Sequence, residues 1–225
     1  MAGGARGTRV RVDLHLHSSA SFDCRMPPLD VARRCGRVGL SPIFLTDHDG
    51  IDGARSLVDA GKAVVVGEEI LTMEGELIGL FLKERVPAGL SPEEAVAAIK
   101  QQGGVVYLEH PYDRSRRNLR EEAIERIADQ IDIVEVFNGR SQPEINRRAE
   151  DLRSTLGVAA GAGSDAHTLR EIGSVYVEME AFDGAHDFLA KLRSGNVVTR
   201  GKPWRMAAQR LLVNLPVPGR AGSDR

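Results

Sequence analysis

Four short stretches of this 225-residue chain set histidines beside carboxylates, and a fifth carries two adjacent glutamates. They are Asp13-Leu14-His15-Leu16-His17, Thr46-Asp47-His48-Asp49, Gly67-Glu68-Glu69, Glu109-His110-Pro111 and Ser164-Asp165-Ala166-His167. Imidazole and carboxylate without thiolate form a donor set suited to Zn, Mn or Fe rather than to a structural zinc knot. Residues i and i+2 of a strand face the same side, so His15 and His17 can converge on one ion while Leu14 and Leu16 face away. Clustered divalent ions lower the pKa of bound water, which makes hydrolysis the chemistry to expect. A lone H-x-H is a weak signal, since two satisfied strand-end histidines would look the same. Five strand ends that all carry potential ligands are a far stronger one. His186 also has acidic neighbours, Asp183 and Asp187, but it falls in a predicted surface helix and reads as solvated.

The elements that must position these groups can be read from the pattern. Strands are predicted at 9–14, 43–46, 63–67, 76–82, 104–110, 131–137, 157–163 and near 174–179. Only Thr72 to Gly75 separate the third strand's apolar run from the fourth, which predicts an antiparallel hairpin. Pro27-Pro28 opens a helix carrying Leu29, Ala32 and Cys35, and Asp52 caps another that runs through Val58 to Gly61. Ser91-Pro92-Glu93-Glu94 is a capping box, with Ala95, Val96 and Ile99 inward and Gly103 at the stop. The same start recurs at Ser141–Glu144, with Ile145, Ala149, Leu152 and Leu156 inward and Gly157 at the end. Helices near 119–129 and 183–193 complete the set. Strand–helix alternation predicts an α/β fold with a largely parallel sheet. About seven strands in ~190 residues suit a small distorted barrel better than the eightfold one, which takes ~250. In such a barrel the strand ends share one face, where active sites are built.

Composition bounds the rest. With 42% hydrophobic and 28% charged residues the chain is globular, and a net charge of -2 gives no global field for nucleic acid or acidic membrane. Two cysteines, Cys24 and Cys35, are too few for a disulfide scaffold and read as a reducing, cytoplasmic setting. The opening MAGGARGTRVRV lacks the apolar stretch of a secretory signal. LIGLFL at 77–82 is far short of the ~18 residues of a membrane span, so no membrane partner is expected. Residues 1–199 read as one domain. Residues 200–225 carry six Arg/Lys against Asp224, plus a short patch of Trp204, Met206, Leu211, Leu212 and Val213. This tail is expected to dock on the surface and end in disorder.

The ordered motifs resemble the PHP (polymerase and histidinol phosphatase) family of metal-dependent phosphoesterases. Its D-x-H-x-H, T-D-H, G-x-E, H-P and S-D-x-H appear as DLHLH, TDH, GEE, EHP and SDAH over residues 13–167. The resemblance implies a distorted (β/α)7 barrel and a trinuclear site of two to three divalent ions. His15, His17, Glu69 and Asp165 would hold the first ion. Glu69 would bridge to a second, bound also by His110, and Asp23, His48 and His167 would hold a third. Glu69 is preferred to Glu68 because it fits G-x-E and because strand alternation turns the two opposite ways. Many relatives place another histidine after the strand at 131–137, where this chain reads Glu135-Val136-Phe137-Asn138. Glu135 or Asn138 would then supply an oxygen, or the second ion is weakly held. Asp13 and Asp47 read as residues that orient ligands. No residue declares itself as leaving-group acid.

Phosphate needs a cationic grip, and Arg114, Arg116, Arg117 and Arg120 follow His110-Pro111, with Arg140 after Asn138. A guanidinium fork matches phosphate oxygens. Related phosphatases place an arginine soon after the H-P, so Arg114, Arg116, Arg117 and Arg140 are the candidates. The first reading is a stand-alone phosphatase acting on a small phosphorylated metabolite or nucleotide, with an open pocket because no large insertion is present. A second is an exonuclease-like phosphodiesterase on nucleic-acid ends, supported by the arginine cluster and the basic tail. A third, an amidohydrolase-type C–N hydrolase, fits less well, since those barrels usually need a metal-binding lysine and more length. A fourth, from another class, is a degenerate domain that binds metal for stability alone.

Overall fold

The computed structural model describes residues 7–200. The tail expected beyond Arg200 lies outside the described residues. The strands are β1 Arg9–Val12, β2 Ile43–Leu45, β3 Val64–Thr72, β4 Gly75–Leu80, β5 Val105–Leu108, β6 Ile133–Asn138, β7 Ala159–Gly163, β8 Val175–Glu180 and β9 Asn196–Thr199. The helices are α1 Pro28–Val38, α2 Asp52–Asp59, α3 Pro92–Gln101, α4 Glu121–Ile127, α5 Pro143–Leu156 and α6 Gly184–Leu192. None of the described helices is long and apolar enough to cross a membrane.

The fold is mixed α/β. β2 to β7 form one curled, half-barrel sheet in sequence order, and β1, β8 and β9 form a second, antiparallel one. In the larger sheet β2–β3, β5–β6 and β6–β7 are parallel, whereas β3–β4 and β4–β5 are antiparallel. The expected largely parallel sheet is therefore corrected to a mixed one. The cause is the turn between Thr72 and Gly75, too short for the crossover that parallel strands require. Gly75 adopts φ 129° with the Asn118 backbone pressed against it, so the turn has no room for a side chain.

Segment 13–17, just past β1, is bonded to both edges of the curled sheet. On the β7 side Leu14 N–H donates to Ala162 O and His17 N–H to Ala166 O. On the β2 side Thr46 N–H donates to Leu16 O and Leu16 N–H donates to Thr46 Oγ1. The chain thus carries its H-x-H between the two sheet edges.

Alternation along the strands divides the core. Leu77, Val106, Leu108 and Val134 pack on Ala95, Val96 and Ile99 of α3, Ile124 and Ile127 of α4, and Ala149 of α5. Their neighbours Ile78, Leu80, Val105, Tyr107 and Ile133 face inward, onto Val177 of β8 and Phe188 of α6. Burying each such side chain contributes about 1.5–3 kcal/mol. A third cluster joins Val31 and Cys35 of α1 to Leu57 of α2. Leu29, in the first turn of α1, is exposed.

Ser91 accepts from Glu94 N–H while the Glu94 carboxylate accepts from Ser91 N–H, so the capping box forms. Two other caps differ from expectation. Asp52 sits in the first turn of α2 after an Ile51 N-cap. α5 has Gln142 as its N-cap and no side-chain cap, while Ser141 Oγ donates instead to Asp113 Oδ2.

Candidate metal centre

The five sequence stretches meet at one end of the curled sheet. Glu69 lies at their centre, its oxygens 3.2 Å from His15 Nε2, 3.2 Å from His17 Nε2, 3.3 Å from His48 Nδ1 and 3.2 Å from His110 Nε2. β3 continues three residues past Glu69, so this candidate ligand comes from within a strand rather than from its end. Glu68, one residue earlier, faces away; its Oε2 accepts from Val86 N–H and burial pushes its carboxyl up to about 7. Asp165 Oδ1 lies 3.4 Å from His17 Nε2 and 3.4 Å from His167 Nδ1. Asp23, in the half-open loop before α1, has Oδ2 2.9 Å from His167 Nε2 and 3.7 Å from His48 Nε2. His186 is exposed on α6.

A second layer of hydrogen bonds turns the ring nitrogens. Glu135 Oε1 faces His15 Nδ1, and Ser21 Oγ faces His17 Nδ1 while donating to Asp47 Oδ1. With Nδ1–H engaged, each Nε2 presents its lone pair to the centre once its own proton is lost. Asp13 accepts from Ser164 Oγ, Ser164 N–H and His15 N–H, tying segment 13–17 to the loop that carries Asp165. His110 and Asp165 both hold positive φ, 27° and 52°, a backbone state that costs energy in non-glycine residues.

The electrostatics suit a site that can bind a cation. Burial raises the pKa of Glu69, but His15, His110 and His17 outweigh it and hold the carboxyl well below its ordinary range. Asp165 is likewise held low, burial being outweighed by Arg116, His15 and Arg140. Glu109 goes the other way, raised well above its ordinary value by burial and then by Glu69. Both Glu109 oxygens and His110 Nδ1 are buried without a hydrogen-bond partner among the described residues. A buried carboxyl without a partner is costly, and a divalent ion would relieve that cost.

Ligand atoms lie within 4.8 Å of one another in the sets His15-His17-Glu69, His15-His110-Asp165, His17-His48-His167, His48-Glu69-Glu76 and Glu69-Glu109-His110. Two of these acids, Glu76 and Glu109, are not among the ligands expected from sequence. Leu71 pairs with Glu76 in the hairpin, which places Glu76 on the same face as Glu69. Glu109 would face away from His110 in a regular strand, but the positive φ at His110 breaks the alternation.

Neither oxygen donor expected to replace the absent histidine is free. Glu135 accepts from Tyr107 OH, His110 N–H and Asn138 Nδ2, besides facing His15. Asn138 Nδ2 also donates to Asp165 Oδ2, and its Oδ1 accepts from Arg140 N–H.

The four candidate arginines separate. Arg116 Nη1 lies 2.5 Å from Asp165 Oδ2, and Arg140 Nη1 donates to His167 Nδ1 at 2.7 Å. Arg117 lies 3.7 Å from Glu76 at the rim. Arg114 is exposed, and no side-chain contact joins it to the cluster among the described residues.

The "PHP-associated" family model matches residues 143–197. An uncharacterized protein of Methanocaldococcus jannaschii is 34% identical over 177 residues, covering 75% of this chain and 70% of that protein. Among solved structures, a two-domain protein from Bacteroides vulgatus containing a predicted PHP-like metal-dependent phosphoesterase superposes with TM-score 0.66 at 20% identity, over 86% of this chain and 65% of that one. The lesion-specific endonuclease EndoQ of Pyrococcus furiosus superposes with TM-score 0.64 at 14% identity, over 84% of this chain and 58% of that one.

Proposed function

The chain belongs to the PHP family, and we propose that it is a metal-dependent phosphatase acting on the monoester of a small phosphorylated metabolite or nucleotide. The observation that carries this reading is the convergence of four histidines on the single carboxylate Glu69, beside partnerless Glu109. His15, His17, Glu69 and Asp165 would hold one ion, Glu69 and His110 a second, and Asp23, His48 and His167 a third. Two to three such ions, Zn, Mn or Fe, would supply an activated hydroxide and neutralise charge on the phosphoryl oxygens.

The protein's own groups do the rest. Glu135 and Ser21 fix the histidine tautomers, and the Asp13–Ser164 and Asp47–Ser18 bonds hold the ligand-bearing segments in register. Arg116 and Arg140 reach Asp165 from the side, close enough to pass to the oxygens of an arriving phosphate. Residues 1–199 are read as one catalytic unit. Segment 13–17, bridging β7 to β2, is read as the seventh stave of a distorted (β/α)7 barrel. The buried, unpaired Cys24 and Cys35 suit a reducing cytoplasm.

The test is phosphate release from a panel of nucleotides and sugar phosphates, with and without chelator. Release that chelation stops and added Mn or Zn restores supports the reading. Release indifferent to chelation, or none from metal-loaded protein, overturns it.

A further inference from the structure

Phe22 is 72% exposed, more than any other large apolar side chain among the described residues. A single exposed apolar residue is ordinary. Its setting is not. The ring centroid lies 4.9 Å from that of His48, tilted by 31°, and the Arg117 guanidinium carbon lies 5.6 Å from the same centroid. The side chains on either side are tied to the metal centre: Ser21 Oγ faces His17, and Asp23 faces His167. Phe22 joins none of the three core clusters, so its ring adds nothing to the packing of the fold. It stands at the rim, one imidazole away from Glu69.

We infer that Phe22 and Arg117 form a platform that stacks the base of a nucleotide whose phosphate lies at the metal centre. This deepens the phosphoesterase reading and rests on it. An aromatic ring with a guanidinium over it suits a planar, electron-rich group, whereas an aliphatic leaving group gains less from stacking. Stacking tolerates any base, because every base has a π-face. Arg117 Nη1 lies 3.7 Å from Glu76 Oε1, an ion pair that helps hold the guanidinium over the ring. The ribose would span the width of His48 between platform and centre.

The experiment compares adenosine 5′-monophosphate, ribose 5-phosphate and a short single-stranded oligonucleotide as substrates of the metal-loaded protein. Phe22→Ala is expected to raise the ratio of KM for a base-bearing substrate to KM for ribose 5-phosphate about tenfold, the scale of base–aromatic stacking. Phe22→Leu, apolar but not planar, is expected to match Ala, and Phe22→Trp to restore the ratio. A binding readout is independent of turnover: in Phe22→Trp, adenosine 5′-monophosphate quenches the new fluorescence and ribose 5-phosphate does not. Wild type, whose one tryptophan is Trp204, gives the background. An effect with the mononucleotide assigns a free nucleotide, and one seen with the oligonucleotide alone assigns a strand end; both support the platform. An unchanged KM ratio in Phe22→Ala with no quench in Phe22→Trp overturns it and leaves the phosphoesterase reading standing. Quenching without hydrolysis of any ester overturns the phosphoesterase reading and leaves base stacking in place.

Discussion

Glu135 Oε1 lies 3.2 Å from His15 Nδ1, with both side chains fully buried. The carboxylate holds the imidazole with Nε2 toward Glu69, and it is itself held by Tyr107, His110 N–H and Asn138. Its neighbours consume its oxygens, which suits a residue that orients His15 better than one that would hold an ion itself.

Removing that contact should loosen metal without removing a ligand. Glu135→Gln is expected to weaken metal affinity about 10–100-fold, the usual effect of losing an orienting partner. Metal titration of the apo-protein measures it. Affinity equal to wild type would mean that His15 is positioned by its backbone alone.

The ligands themselves should behave differently. His17→Ala and Asp165→Asn are each expected to abolish phosphate release while retaining a cooperative thermal transition. His186→Ala, on the exposed face of α6, is expected to leave both activity and stability within about 0.5 kcal/mol of wild type. Wild-type rates from either ligand variant would displace the centre from where it is drawn here.

Gly163 allows β7 to approach segment 13–17. A Cβ there would lie inside van der Waals contact with His15 Cβ, 2.7 Å from Glu135 Oε1 and 3.0 Å from His15 N. Gly163→Ala is therefore expected to cost about 1–3 kcal/mol through overpacking and to lower metal affinity, as read by denaturant unfolding and metal titration. A neutral outcome would show that the two segments can part freely.

Asp113 organises the loop that carries Arg116, accepting from Ser115 Oγ, Ser115 N–H and Ser141 Oγ. Burial raises its pKa, but these donors outweigh burial and leave it below the ordinary 3.8. A depressed folded pKa gives stability that is present above the unfolded value and lost as pH falls through the folded one. Asp113→Asn is expected to cost about 1–2 kcal/mol at pH 7, with the gap from wild type closing as pH drops below 3.8. Urea unfolding across pH checks it; a constant gap would remove the carboxylate from the account.

Much of the site was legible because its signals are local. The period of a strand pairs His15 with His17 and separates Glu68 from Glu69, and both relations hold in the structure. What escaped depends on partners distant in the chain. Glu76 joins His48 and Glu69 only through hairpin register, and Glu109 only through an irregular φ at His110. The roles of Arg116 and Arg117 differ although they are adjacent, one set against Asp165 and the other at the rim. Among the elements, β9 leaves little signal in the sequence because Asn196–Thr199 is short, half exposed and without alternation. β1 and β8 were read as members of one sheet with the rest. Their antiparallel pairing, Val12 opposite Val177, leaves no trace in local pattern.

The most direct test of the central claim is metal content measured together with phosphate release on the same preparation. The account predicts two to three divalent ions per chain, loss of release on chelation, and recovery of both on adding back Mn or Zn. Less than one ion per chain that added metal does not raise, or a fully loaded protein that cleaves no phosphate ester, would contradict it.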